Sequence, residues 1–162
     1  MKKKSSSDGI AILLQIIDES YNTRAWHGTN LRGSIRGLTV KQASWRPSQA
    51  RHNIWEVVVH CAYWKYIVRR RILGEKKGSF PLNGSNWFRR PTERTEKAWR
   101  EDIQLLEKTH QRLRAAIAGL KFSDLKKKPF GSKWTNRQTI SGIASHDLYH
   151  TGQIQLLKRF QK

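Results

Sequence analysis

The chain has 162 residues, enough for one domain with a buried core, and seven Trp, four Tyr and five Phe supply bulky material for it. Thirty-two Lys and Arg against 12 Asp and Glu give a net charge of +20, which fits either a polyanionic partner or a solvated basic surface. The single cysteine, Cys61, excludes an internal disulfide and fits a reducing compartment, and no run approaches the ~20 apolar residues that span a bilayer, so no membrane role is expected.

Residues 1–7 read as a basic flexible tail ahead of one domain over 8–162. Met1-Lys2-Lys3-Lys4 and the apolar run behind it have the outline of a signal peptide. That run contains Gln15 and leads into Asp18-Glu19 instead of small residues, so a cytoplasmic protein is expected. Periodicity predicts a first helix over 8–27, capped by Ser7 or Asp8, with Leu13, Ile17 and Tyr21 along one side. Residues 32–51, with Gly33, Gly37 and Trp45-Arg46-Pro47, read as a connection. A second helix starts after Asn53, carries Ile54, Val57, Val58, Cys61, Trp64 and Val68, and stops at Gly74. A long irregular stretch over 74–91 follows. The third helix opens at Pro91-Thr92, where Thr92 caps and Glu93 and Glu96 meet the positive end of the helix dipole, and it runs to Gly119. After a loop over 121–133, the fourth opens at Thr135 or Asn136 and continues through Ile140, Ile143, Ile154 and Leu157. Four amphipathic helices with long connecting loops predict an all-α, up-down four-helix bundle, whose core suits metal ligands on facing helices.

His146 and His150 stand four residues apart on the last helix, so they share a face. That face also carries Thr139, Gly142, Ile143, Gln153 and Ile154, so both imidazoles point toward the core, where unpaired polar groups are costly. Two ordinary core histidines are the bland alternative. His60, on the inner side of the second helix, adds a third member, and three neutral imidazoles at one point favour a metal with open coordination positions. Gly142, one turn before His146, leaves room for a substrate. Glu56, one turn before His60, is a candidate to hold the His60 tautomer or act as a base, against a solvated helix position. His27 either lines the same cavity or closes its helix; His52 reads as turn chemistry, His110 as structural, Cys61 as a small buried hydrophobe and Asp147 as an outer-face charge.

Basic side chains cluster at the end of the second helix (Lys65, Arg69, Arg70, Arg71, Lys76, Lys77) and again at Arg89, Arg90, Arg94 and Arg100 beside Trp87, Phe88 and Trp99. Aromatic residues interleaved with cations are what single-stranded nucleic acid sites use. A basic exterior over a Trp-rich core has the same pattern, and no recognition helix favours the nucleic acid reading.

The segments Trp26-His27-Gly28, Trp45-Arg46-Pro47, Arg51-His52-Asn53-Ile54-Trp55-Glu56, His60-Cys61-Ala62-Tyr63-Trp64-Lys65, Trp134-Thr135 and His146-Asp147-Leu148-Tyr149-His150-Thr151-Gly152-Gln153-Ile154, in this order, resemble the DinB/YfiT-like superfamily of metal-binding four-helix bundles. The resemblance implies a divalent metal, commonly zinc or nickel, on His60, His146 and His150. It also implies relatives such as bacillithiol S-transferases and mycothiol-dependent maleylpyruvate isomerases, in which the metal activates a low-molecular-weight thiol. A divalent cation lowers the pKa of a coordinated thiol or water, which is the chemical sense of such a site. The expected function is a metal-dependent thiol S-transferase or hydrolase acting on a small-molecule thiol or electrophile. The alternatives are a non-enzymatic basic module that holds nucleic acid or another polyanion, and a metal-bearing structural homodimer without turnover.

Overall fold

The computed structural model describes residues 4–129 and 131–162, with the backbone alone for 4–8. In chain order the elements are α1 (Lys4–Tyr21), α2 (Leu31–Ser34), α3 (Val40–Ser44), α4 (Ile54–Leu73), α5 (Glu96–Ala118), a 3₁₀ helix η1 (Phe122–Lys126) and α6 (Asn136–Arg159). The all-α four-helix bundle expected from the sequence is present, built from α1, α4, α5 and α6, and no strand occurs among the described residues.

Cap chemistry sets most helix starts. Asn53 Oδ1 accepts from the Glu56 amide at 2.8 Å while Glu56 Oε2 accepts from the Asn53 amide at 3.3 Å, closing a capping box on α4. Thr135 and Gln138 do the same for α6. Gly74, with φ 69°, ends α4 in the left-handed conformation that glycine adopts without strain. Three boundaries differ from expectation. The first helix begins at Lys4 rather than Ser7 or Asp8 and ends at Tyr21, with residues 22–27 in turns; residues 1–3 of the expected tail lie outside the described residues. The third begins after Thr95, whose hydroxyl accepts from the Ala98 amide at 3.1 Å, rather than after Thr92. The reason is long-range. Asn53 Nδ2 donates to the Arg90 carbonyl and the Arg90 guanidinium reaches Asp102, so the chain is tied to the start of α4 before it can turn into helix. The connection expected over 32–51 holds most of α2 and all of α3, and Thr39-Val40-Lys41-Gln42 is a capping box visible in the sequence.

The contacts fix the helix directions. Trp55 at the start of α4 donates to Asp102 and packs on Trp99, both near the start of α5, so α4 and α5 run parallel. His60 meets His150 while Lys65 meets Asp147, so α4 and α6 are antiparallel. Arg114, late in α5, pairs with Asp18, and Tyr21 reaches Glu107 earlier in α5, so α1 and α5 are antiparallel. The order is up, down, down, up, which corrects the alternating up-down order expected from the sequence: the long 74–95 connection returns the chain along the bundle, so α5 starts at the same end as α4. Residues 54–62 are buried without exception, so the first half of α4 is the axis of the molecule.

The apolar core falls into two clusters, one around Trp55, Val58, Leu106 and Ile154 and one around Ile17, Val68, Leu113 and Ile140. A polar layer separates them. Lys65 and Asp147, both without solvent exposure, form an ion pair; the Lys65 ammonium also lies 5.0 Å from the centroid of the Tyr21 ring, which stacks on His110 at 3.6 Å. Asp147 is therefore not an outer-face charge and Lys65 is not part of the basic exterior: the α4–α6 seam closes over both. Burial pushes the Asp147 carboxyl up against the opposing pull of the Lys65 ammonium.

Removing one partner of a buried pair leaves an uncompensated charge, so Lys65→Met is expected to lower the unfolding free energy by about 3–5 kcal/mol, and adding Asp147→Leu to recover most of that loss. Urea unfolding of the single and double variants measures both; a double variant as unstable as the single one contradicts the pairing.

Candidate metal centre

The α4–α6 seam brings His60, His146 and His150 together, and one ligand atom from each lies within 4.8 Å of the others. His146 Nε2 stands 3.0 Å from His60 Nε2 and 3.2 Å from His150 Nε2. Two nitrogens bound to one zinc at about 2.0–2.1 Å lie about 2.9–3.4 Å apart for angles between octahedral and tetrahedral, so both separations fit a shared ion. The tautomers agree with that. His60 Nδ1 is 2.8 Å from the Asn86 carbonyl oxygen, which only accepts, so the proton sits on Nδ1 and Nε2 presents a lone pair. His150 Nδ1 is 2.7 Å from Gln153 Oε1, with the same consequence. At most one N–H, on His146, can then serve three converging Nε2 atoms. A divalent cation satisfies all three lone pairs at once.

Electrostatics keeps the imidazoles in the ligating form. Burial pushes His60 down to about 4 and His146 down to about 3, and it lowers His150 as well, so all three are neutral at pH 7.

The 74–95 connection builds one wall of the site. Asn86 adopts φ 64°, a left-handed conformation that Asn tolerates better than most residues. In that conformation its carbonyl faces His60 while its side-chain oxygen accepts from Trp64 Nε1 at 2.9 Å. The next residue, Trp87, lies between two imidazoles, stacked on His60 at 3.9 Å and on His52 at 3.6 Å. Behind this wall Glu56 is fully engaged. It accepts from Arg46 at 2.7 Å, from His52 Nδ1 at 3.0 Å and from the Arg90 amide at 3.2 Å. Burial alone would raise its pKa; the bonds from Arg46, His52 and Arg90 together hold it below the ordinary carboxylate value. Glu56 therefore ties the loops that carry Arg46, His52 and Arg90 to α4. The Nδ1 of His60 is held by Asn86, not by Glu56, which corrects the expected tautomer role.

The other expected candidates separate from the cluster. His27 is exposed outside α1 and does not line the cavity. His52 lies one Trp ring away from His60. His110 is buried against Tyr21, and Cys61 is buried. Gly142 is exposed and a Cβ there would meet nothing, so no close approach requires it. The sequence leads one to expect the 74–91 loop, with Trp87, over one end of the site, and Trp87 does stack there on His60, whereas Asn86 and Gln153 carry no assigned role in the sequence reading. Gln153 carried a usable signal, three residues after His150 on the same face; the turn of the Asn86 carbonyl toward His60 carried none. Two clefts flank the cluster: one of about 560 Å³ reaches His150 and Gln153, and one of about 630 Å³ is lined by Arg46, Arg51 and Arg89.

Two outcomes follow from this geometry. Gln153→Ala is expected to weaken metal affinity about 10–100-fold by freeing the His150 tautomer, read by competition with a chromogenic chelator. An affinity equal to wild type would remove Gln153 from the site. In metal-free protein, unfolded imidazoles bind protons near 6.5 whereas folded His60 and His146 refuse them until about 4 and about 3. The unfolded state then holds more protons, so stability is full above pH 6.5 and declines as the pH falls toward 4, with a smaller slope in His146→Asn. Urea unfolding across that range checks the slope; identical slopes in both proteins contradict it.

No curated protein and no solved structure matches the chain. The family model for the DinB superfamily matches residues 23–154, a span that holds all three histidines and the 74–95 connection. With its helical bundle and its converging imidazoles, the chain belongs to the DinB superfamily.

Proposed function

We propose that the protein is a metal-dependent enzyme, a thiol S-transferase or a related hydrolase, whose zinc or nickel ion is held by His60, His146 and His150. The observation that carries this reading is the convergence of three neutral Nε2 atoms, two of them with their tautomers already set by Asn86 and Gln153. Three protein ligands leave open positions, as in catalytic rather than structural centres. When bound, such an ion lowers the pKa of a coordinated thiol or water, which supplies a nucleophile at neutral pH. The protein's part is to hold the imidazoles unprotonated, to keep their rings oriented through Asn86, Gln153 and the Trp87 stack, and to present a cleft that reaches His150. Glu56 acts as a positioning residue through Arg46, His52 and Arg90.

The nucleic acid alternative draws on the net charge of +20, but Arg46, Arg69, Arg90 and Arg114 are committed to carboxylates within the fold. Metal content of untagged protein by mass spectrometry is expected to be near one zinc or nickel per chain in wild type and to be lost in His146→Ala. Metal-loaded wild type, screened against thiols with electrophiles and against hydrolysable substrates, is then expected to turn over where the variant does not. Folded protein that cannot be loaded would send the reading back to the basic module, and loaded protein inert across the panel would leave a metal-bearing structural role.

A further inference from the structure

The two clefts beside the histidine cluster share three lining residues, Arg51, His52 and Trp87. Their characters differ. The one that reaches His150 is walled by Val57, Leu156, Leu157 and Phe160. Its rim holds three of the large apolar side chains most exposed in the molecule, Tyr149 at 65%, Phe160 at 60% and Leu156 at 52%. On a chain of net charge +20, apolar surface gathered at a cleft mouth marks a place that something apolar covers. The other cleft is cationic. Arg46 is taken by Glu56, but Arg51 and Arg89 are exposed and have no carboxylate partner among the described residues. Arg51 lines both clefts.

Apolar wall, free guanidinium and candidate metal thus lie along one path. We infer that the cleft that reaches His150 binds a small amphipathic organic anion, with its oxyanion head on Arg51 and its apolar body along Leu156, Leu157 and Phe160 toward His150. This rests on the proposed function for what happens at the metal, but the recognition is built from other residues. A guanidinium fork pairs with a carboxylate or a phosphate monoester, and the head can be either. The clefts, of about 560 and about 630 Å³, are of small-molecule size. Arg89, farther from the apolar wall, offers a second cation to a doubly charged head. Glu56 lines the cationic cleft, but its carboxylate is taken up by Arg46, His52 and the Arg90 amide, and the ion pair keeps Arg46 from competing for the head.

Calorimetric titration of the full chain with octanoate, octyl phosphate, octan-1-ol and acetate tests this and identifies the head. At least one of the two amphipathic anions is expected to bind about tenfold tighter than both acetate and octan-1-ol. Arg51→Ala should reduce that affinity about tenfold without changing octan-1-ol binding, whereas Leu156→Ser should weaken anion and alcohol alike. Circular dichroism confirms that both variants, altered at exposed positions, keep their helices. His146→Ala separates this inference from the metal reading, because Arg51-dependent binding persists there even if the metal is lost. Three results overturn the inference: anion binding that is insensitive to Arg51→Ala and lost in His146→Ala, which places the head on the metal; acetate equal to octanoate; or no binding by a wild type that sediments as a dimer and becomes monomeric in Leu156→Ser, which gives the apolar rim to a second copy of the chain.

Discussion

The buried ion pair between Lys65 and Asp147 is the constraint on which the rest of this structure depends. Neither side chain reaches solvent, so α4 and α6 cannot slide past each other without stranding a charge in the core. Apolar seams tolerate a shift of register far better, since one aliphatic contact replaces another. With residue 65 opposite residue 147 in antiparallel helices, His60, a turn and a half earlier in α4, lies beside His150, about one turn later in α6. His146, adjacent to Asp147, closes the triangle. The pair thus positions the three imidazoles, and the caps at Asn53 and Thr135 begin both helices at the residues that this register needs.

A second layer of control comes from chain segments without regular structure. The connection over 74–95 is long because α5 runs parallel to α4 and the chain must travel back along the bundle. Along that return it supplies Asn86, which sets the His60 tautomer, and Trp87, which stacks on His60 and walls both clefts. Glu56, through Arg46, His52 and the Arg90 amide, anchors both this loop and the one over 46–52 to the start of α4. Rigid helices carry the three histidines and pinned loops carry their surroundings, which is the arrangement that holds a site in working geometry.

The histidine cluster and the bundle were legible because their signals are periodic: His146 and His150 repeat at helical spacing, and His60 falls on the apolar side of an amphipathic run. The helix boundaries at Asn53, Gly74 and Thr135 were legible because capping is local chemistry. What the sequence concealed was long-range. Thr92 is as good a cap as Thr95, and only the attachment of Arg90 to Asn53 and Asp102 decides between them. Asp147 and Lys65 each read as surface charges, since neither carries a local mark of its partner 82 positions away. Glu56 stands one turn from His60 in the sequence, yet its orientation is set by Arg46, which no periodicity links to it. The capping box at Thr39 was local and could have been read.

The claim that the three histidines form a metal centre meets its most direct test in X-ray absorption spectroscopy of the zinc-loaded protein. Outer-shell scattering counts imidazoles, and three per zinc, with the remaining positions filled by light solvent-derived ligands, is the expected spectrum. A zinc ion with fewer than two imidazoles, or one coordinated through Cys61, would contradict the account, because the Nε2 atoms of His60, His146 and His150 would then converge for some other reason.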